Sequence, residues 1–483
     1  MPPANQKRIE MMSAERTSVT ERAVAFIERV GFDDLPDEAL RIGRRCVLDG
    51  LGLFVAGAAE DSLRILIEEA REQGGRADAL LLGAGDLKVP APMAARVLGT
   101  AGHAHDWDDT QVSRDPRHQY GLLTHPTIPP LVAALAVGQR QGGASGRDLM
   151  LAFLAGFEVE SKISEWMLPE HYRRGFHSSG TVGTFGAAVA AAKLLGLSGE
   201  KLACTLGIAA SMASGIRVNF GTMTKPLHVG RAAENGVTAA LLAARGFTAD
   251  PNGLDGPWGF FSVHGGGVSE DKTTEGFGNT WSIVEPGVSI KPYPSGILTH
   301  QSMDAMLRLV REHDLAPEQI EKIAVFAGGN ILKPIRYPIA SNHLEAKFCM
   351  PALLAMIVLR RQAGRLEFSD AFVASDAMQT MQRRIRTEID PAIETQGTDR
   401  IRSRIELTTR DGRRLVAWAD ERYRGGPDNP MSDADLEAKF RACTDGLLDE
   451  ARQAGIIETV QRVETLADAT RLAELIQPQG AAR

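Results

Sequence analysis

Apolar residues recur every three to four positions over most of this chain, in helix-length runs set off by polar, glycine- or proline-bearing segments. The spacing predicts one helix over Thr20 to Val30 and a second from Leu35-Pro36-Asp37-Glu38 through Leu51. Pro36 falls near the first turn of the second, and two acids sit at the positive end of its dipole. Further helices are expected over 62–73, from Pro90 towards His103, over 129–140, and over 146–167, where Glu158 and Glu160 interrupt an apolar background. From Gly180 to Leu195 and from Ser198 to Ser211 small residues fall on every side, which implies helices buried nearly all round. A helix over 230–245 follows, and then a Gly/Pro-rich stretch at 250–267.

Near Trp281 the pattern changes. Lys291-Pro-Tyr-Pro-Ser-Gly296 reads as a turn, 299–313 as a helix, and Ile320 to Phe326 alternates as a strand does. Ile401 to Thr409 and Arg414 to Ala419 flank Asp411-Gly412, a pair that favours the positive φ values of a type I′ hairpin turn. Helices at 345–362 and 369–381 lie between strand and hairpin. Ser432 is the expected N-cap of helices over 433–476 that return to the first domain. The architecture is therefore mainly α: a large helical domain over 18–275, a smaller α+β lid domain over 276–425, and C-terminal helices over 426–476.

Length agrees with this division, since 483 residues exceed what one core usually organises. A net charge of −7 gives no general attraction to nucleic acid or an anionic membrane, so an anionic substrate must meet locally placed cations. The four cysteines are far apart with no CxxC spacing, which argues against a zinc ribbon or a secreted disulfide framework and for a reducing cytoplasm. The polar N-terminus has no apolar core of a signal peptide, no apolar run approaches the roughly 20 residues of a membrane span, and residues 1 to about 17 read as a loose tail. Gly50, Gly52 and Gly57 suit close helix contacts better than a nucleotide loop, because GxGxxG and a preceding strand are missing.

The chemistry concentrates in His103-Ala-His105-Asp106-Trp107-Asp108-Asp109-Thr110, followed by His125 in Thr-His-Pro-Thr. Three imidazoles and three carboxylates gather there, in a chain with 11 histidines. His177, then Lys225 with His228, then Lys291 stand in further polar clusters of an otherwise Ala/Gly-rich background. If these loops meet in one cleft, imidazoles that titrate near neutrality beside lysines that hold carboxylates suit proton abstraction next to a carboxylate. Two other readings stand beside this one. His103, His105, Asp106, Asp109 and His125 are donors that a metal-dependent hydrolase could use. Alternatively the clusters are solvated caps on a helical scaffold. Pro226 argues against an exposed helix face for Lys225, and Glu158 and Glu160 read as structural.

The chain resembles the MmgE/PrpD family, which includes 2-methylcitrate dehydratase, cis-aconitate decarboxylase and iminodisuccinate epimerase. The resemblance runs over roughly 20–450. It is carried by Leu-Pro-Asp-Glu-Ala-Leu and Val-Leu-Asp-Gly-Leu-Gly within 35–52, His-Ala-His-Asp-Trp-Asp-Asp-Thr at 103–110, Thr-His-Pro-Thr at 124–127, Phe-His-Ser-Ser-Gly-Thr-Val-Gly-Thr at 176–184, Thr-Lys-Pro-Leu-His-Val-Gly at 224–230 and Lys-Pro-Tyr-Pro at 291–294. It implies a helical domain with an α+β lid, usually a homodimer, no organic cofactor, and a site between the domains that lines up Asp106, Thr110, His125, His177, Lys225 and Lys291; read from the residues themselves, no metal is expected there. On that basis His125 and His177 are expected to move protons, Asp106 to orient an imidazole, and Thr110, Lys225, Lys291 and His228 to hold substrate. Two departures from the decarboxylase branch, Gly296 in place of a histidine and a missing tyrosine near Pro334, favour a dehydratase of 2-hydroxy acids. A decarboxylase or an epimerase using the same residues is the alternative. The segment from Gln111 to Leu123 is longer than in that branch and adds Arg114, Arg117, His118 and Tyr120.

Overall fold

The computed structural model describes residues 18–112, 123–396 and 402–479. Arg114, Arg117, His118 and Tyr120, and Ile401 at the expected start of the hairpin, lie outside them.

In the helical domain α1 spans Val19–Arg29, α2 Asp37–Gly57, α3 Asp61–Gln73, α4 Ala91–His103, α5 Ile128–Arg140, α6 Gly146–Trp166, α7 Gly183–Leu194, α8 Gly199–Met212 and α9 Thr224–Ala244. Ser18 and Glu21 form a reciprocal capping box that starts α1. Two short antiparallel ribbons interrupt the helices, β1 (Ala79–Leu80) with β2 (Lys88–Val89) and β3 (Gln111–Val112) with β4 (Leu123–Thr124). Each strand is two residues long, too short to leave an alternating pattern in the sequence.

Two helix boundaries differ from expectation. The run from 180 to 195 divides at Val182 into one turn, Ser178–Thr181, and α7. Helix α9 begins at Thr224, six residues before the expected 230, so Lys225, Pro226 and His228 lie in its first turns and not in a preceding loop. Proline is tolerated there because the first N–H groups of a helix have no intrahelical partner to lose. Every residue of α7 from Gly183 to Ala192 is buried, as the small-residue pattern implies. The glycines serve close packing: a Cβ on Gly99 of α4 would stand 3.0 Å from Gly230 Cα of α9, and one on Gly52 of α2 would stand 3.0 Å from the Phe440 ring.

The lid contains α10 (His300–Glu312), α11 (Met350–Arg360) and α12 (Asp376–Arg383) against a four-stranded sheet. Its strands are β5 (Ile320–Ala327), β6 (Ile385–Ile389), β7 (Ser403–Thr409) and β8 (Arg414–Trp418), in the order β6-β5-β7-β8. Strands β5 and β6 are parallel and the other pairs antiparallel. The expected helices at 345–362 and 369–381 are each broken, into His343–Ala346 and α11, and into Asp370–Val373 and α12. Strand β6 was not anticipated; it is a five-residue edge strand with only Ile385 buried. The hairpin forms, but not with a type I′ turn. Gly412 alone takes positive φ (88°), its N–H reaches Thr409 O at 2.9 Å, and Arg413 O accepts from Thr409 N–H at 3.0 Å in register with the Thr408–Arg414 pair.

One apolar cluster fills the helical domain and includes Leu436, Phe440, Ile456 and Ile457 from α13 (Asp433–Thr444) and α14 (Glu450–Gln461). Ser432 caps α13 in a capping box with Asp435. Lys439 of α13 pairs with the buried Asp49 of α2 at 2.6 Å. A second cluster, with Met303, Ile323, Val325, Leu353 and Ile405 at its centre, fills the lid. Among the described residues no helix is long and apolar enough to cross a membrane.

Candidate active site

Helix α4 ends at His103, and the turn that follows carries Asp106 at φ 52°, in the left-handed region that aspartate tolerates better than most residues. That turn points the Asp106 carboxylate inward. Its Oδ1 accepts hydrogen bonds from Lys225 Nζ at 2.7 Å and Lys291 Nζ at 3.0 Å, and its main-chain oxygen accepts a second bond from Lys291 at 2.8 Å. Lys225 arrives from the first turn of α9, and Lys291 from the 288–292 segment, whose Ser289 bridges to Thr110 through two main-chain hydrogen bonds. Burial alone would raise the Asp106 carboxyl, but the two ammoniums hold it well below the usual carboxylate range.

His103 sits against the same ammonium. Lys225 Nζ donates to its Nε2 at 2.8 Å, so Nδ1 carries the proton and donates to Asp108 at 2.8 Å. Burial pushes His103 down to about 3 against the pull of Asp108. His125 gives its Nδ1–H to Asp109 O at 2.8 Å, with Thr110 Oγ1 and Asp108 Oδ2 each 3.3 Å away. Its Nε2 is thereby the nitrogen left for chemistry, 3.9 Å from Asp106 Oδ1. Burial, helped by the Lys291 and Lys225 charges, lowers the His125 pKa and favours neutral imidazole near pH 7. Across the cavity the His177 ring lies 6.3 Å from that of His125, and its Nδ1 shares a 3.0 Å hydrogen bond with His228 Nδ1. Burial and then the Lys225 charge press His177 well below its ordinary value.

Asp106, Thr110, His125, His177, Lys225 and Lys291 line one small cavity of about 50 Å³. Gly296 and Pro334, the two positions that depart from the decarboxylase pattern, line it too. His228 does not; it stands behind His177, so direct substrate contact is replaced by support of a neighbouring imidazole. His105 turns the other way, towards Glu60 at 3.4 Å. Asp109 points into the domain, accepting from Thr127 Oγ1 at 2.6 Å, and burial raises its carboxyl to about 8. Glu158 is structural as expected, accepting from the main-chain N–H groups of Gly278 and Ser282.

Sequence reasoning undervalued His103 and Asp108 and missed Lys347, Tyr172, Phe220 and Phe348. Lys347 of the lid is buried and donates to Ala104 O at 2.9 Å, which ties the lid to the turn that carries Asp106. Tyr172, Phe220 and Phe348 line the cavity from separate parts of the chain and leave no local signal.

His103, Asp106, Asp108 and His125 bring donor atoms within 4.8 Å of one another, a spacing a metal could use. The donor chemistry does not fit a divalent cation well. Both nitrogens of His103 are engaged by Asp108 and Lys225, and Asp106 is already paired with two ammoniums, which would repel an added cation.

Comparison with known proteins agrees with the geometry. The chain is 28% identical to the cis-aconitate decarboxylase of Mus musculus over 473 residues, covering 95% of this chain and 93% of that protein. It is 28% identical to the Homo sapiens enzyme of the same name, at 95% coverage of each. It is 24% identical to the cis-aconitate decarboxylase of Aspergillus terreus, covering 96% and 97%. The MmgE/PrpD N-terminal domain matches residues 21–271 and the MmgE/PrpD C-terminal domain residues 293–465, and with both halves matched in order the chain belongs to the MmgE/PrpD family.

Proposed function

We propose that this protein is a lyase that removes carbon dioxide from a small di- or tricarboxylate, using its own side chains for the proton transfer. The observation that carries the proposal is the position of His125 Nε2, 3.9 Å from the carboxylate oxygen on which Lys225 and Lys291 converge. A proton-transfer group and two anion-binding cations thus face the same small space. In this mechanism the lysines take a substrate carboxylate. The bond to a second carboxylate breaks to release carbon dioxide, its electron pair passes through an adjacent double bond towards the held carboxylate, and His125 Nε2–H delivers a proton to the carbon next to that carboxylate. Burial favours neutral His125 near pH 7, and the charge of a bound anion raises its pKa so that it enters the reaction charged. The apolar lid side of the cavity supports loss of carbon dioxide, because a departing neutral molecule needs no hydrogen-bond partners there. The relatives' names agree with this chemistry.

Dehydration of a 2-hydroxy acid is the second reading. His177, 6.3 Å across from His125, favours it by offering a second imidazole that could protonate a leaving hydroxyl. NMR of the full chain in D₂O with 2-methylcitrate, cis-aconitate, citrate and iminodisuccinate separates the readings. The proposal expects carbon dioxide and a new C–D bond next to a retained carboxylate. Loss of water from a substrate supports the dehydratase instead, and exchange of an α-proton with no loss of either overturns both in favour of an epimerase.

A further inference from the structure

Lys225 is tied from behind by a pair of residues, His103 and Asp108, that do not line the cavity. An ammonium has three N–H donors and no acceptor. One of them goes to Asp106 Oδ1 at 2.7 Å and a second to His103 Nε2 at 2.8 Å. With those two directions taken, the third N–H is left for the cavity, where Phe220 and Phe348, each with its ring centroid 5.3 Å from Nζ, offer it no oxygen. The His103 ring is not free to turn away from this contact. Its Nδ1 stands 2.8 and 2.9 Å from the two oxygens of Asp108, and both side chains are buried, at 0% and 1% exposure. Asp108 thereby holds the proton on Nδ1 and keeps Nε2 bare, as a carboxylate behind a metal-bound histidine does.

An imidazole does here what a second carboxylate could not. A carboxylate in contact with Lys225 would compete with an arriving anion for the ammonium, whereas a neutral ring accepts the N–H without adding a negative charge at contact distance. Burial keeps the ring neutral, with its pKa down at about 3. The Asp108 charge lies beyond that ring, between His103 and His125. We infer that His103 and Asp108 are positioning residues for Lys225: Asp108 fixes the ring, and the ring aims the remaining N–H of Lys225 at one point in the cavity. Neither touches what binds there. The inference rests on the reading of Lys225 as a holder of carboxylate.

Isothermal titration of the full chain with succinate reads the aim of Lys225 without any turnover. His103→Leu, of similar size but with no acceptor, is expected to weaken Kd about 10- to 100-fold, the worth of one charge-assisted hydrogen bond. His103→Gln returns an acceptor oxygen near the place of Nε2 and is expected to recover most of that loss, which a merely structural role for the ring would not predict. The proton is read separately from ¹⁵N spectra of the chain labelled at histidine, where the His103 signals are those missing from the glutamine variant. At pH 7 Nδ1 is expected to carry the proton and Nε2 to be bare. Wild-type affinity in the leucine variant, a glutamine variant as weak as the leucine one, or a proton on His103 Nε2 overturns the inference while leaving the carboxylate reading in place. Failure of succinate to bind even the wild type removes the carboxylate reading and the inference with it.

Discussion

Asp106 sits at φ 52° and gives one carboxylate oxygen to two buried lysines, so Asp106→Asn changes the charge while keeping a residue that accepts this backbone conformation. The variant leaves two ammoniums facing each other in a low-dielectric site, because Asp108, the next nearest carboxylate, is tied to His103 and His125. Removing one partner of a buried ionic group typically costs about 3–5 kcal/mol. Urea unfolding at pH 7 is therefore expected to show a loss of that size, and turnover is expected to disappear with it. Burial already lowers the Lys225 pKa, and losing Asp106 lowers it further, so the stability deficit should shrink as the pH is raised towards 9 and the ammonium deprotonates. A deficit that stays constant with pH would mean the lysines are not the source of the strain. At this scale the sequence exposed most of the cavity: Asp106, Thr110, His125, His177, Lys225 and Lys291 stand out as polar residues in an Ala/Gly-rich background. It could not separate His103 from His105. They are two residues apart, but the end of α4 falls between them and turns the rings to opposite sides, one to Lys225 and the other to Glu60.

The elements that carry these residues are held in register by small side chains. Helices α4 and α9 cross where Gly99 meets Gly230, and a Cβ on Gly230 would overlap Thr100 Oγ1 and the main-chain oxygen of Arg96. Neither obstacle is the free end of a flexible chain, so Gly230→Ala must push the helices apart. Overpacking of this kind usually costs about 1–3 kcal/mol. The same displacement opens the 2.8 Å contact between His103 at the end of α4 and Lys225 at the start of α9. A shift of about 1 Å in the groups around a reacting centre can lower turnover on the order of 100-fold. The variant is expected to lose kcat/KM to that degree while its far-UV circular dichroism stays helical; unchanged kinetics would show that the crossing does not set the site. The helices were legible because burial on one or all faces imposes a 3.6-residue pattern or a run of small residues. Their starts were less so, since a first turn makes no pattern of its own and Pro226 reads equally as loop or as helix N-terminus. Strand β6 escaped because an edge strand with one buried residue has little apolar alternation to show, and its partner β5 lies some sixty residues away in sequence.

At the scale of the whole molecule the site lies where helical domain and lid meet, since Lys291, Leu298, Ile335 and Phe348 come from the chain after residue 287 and the imidazoles, Lys225 and Phe220 from before it. A polar chain beside the cavity holds the two halves together. Glu60 of the helical domain meets His105 at 3.4 Å and, from the lid, His343 at 3.2 Å; His343 in turn meets Asp370 at 2.7 Å. Lys347 of the lid faces the same group and opposes a charge on His343. The hydrogen bond to Glu60 outweighs burial and raises the His343 pKa, while Glu60 itself is held down to about 2, against the effect of burial, by His343 and His105. The signs then fix a window. A raised histidine contributes its full stabilisation below pH 6.5 and loses it as the pH climbs through its folded value. A depressed carboxylate contributes above about pH 4.5 and fades as the pH falls towards 2. The link is complete between these limits and weakens on the alkaline side. Glu60→Gln should therefore destabilise the protein by about 1–2 kcal/mol at pH 6, as expected for a half-buried charged pair, and by clearly less at pH 9, where His343 is neutral in the wild type as well. Urea midpoints of both proteins at the two pH values measure this, and hydrogen exchange at pH 6 locates it: amides of the turn at 343–348 should exchange faster in the variant while those of α7 do not change. A penalty equal at pH 6 and pH 9 would mean that the ion pair with His343 plays no part in holding the lid.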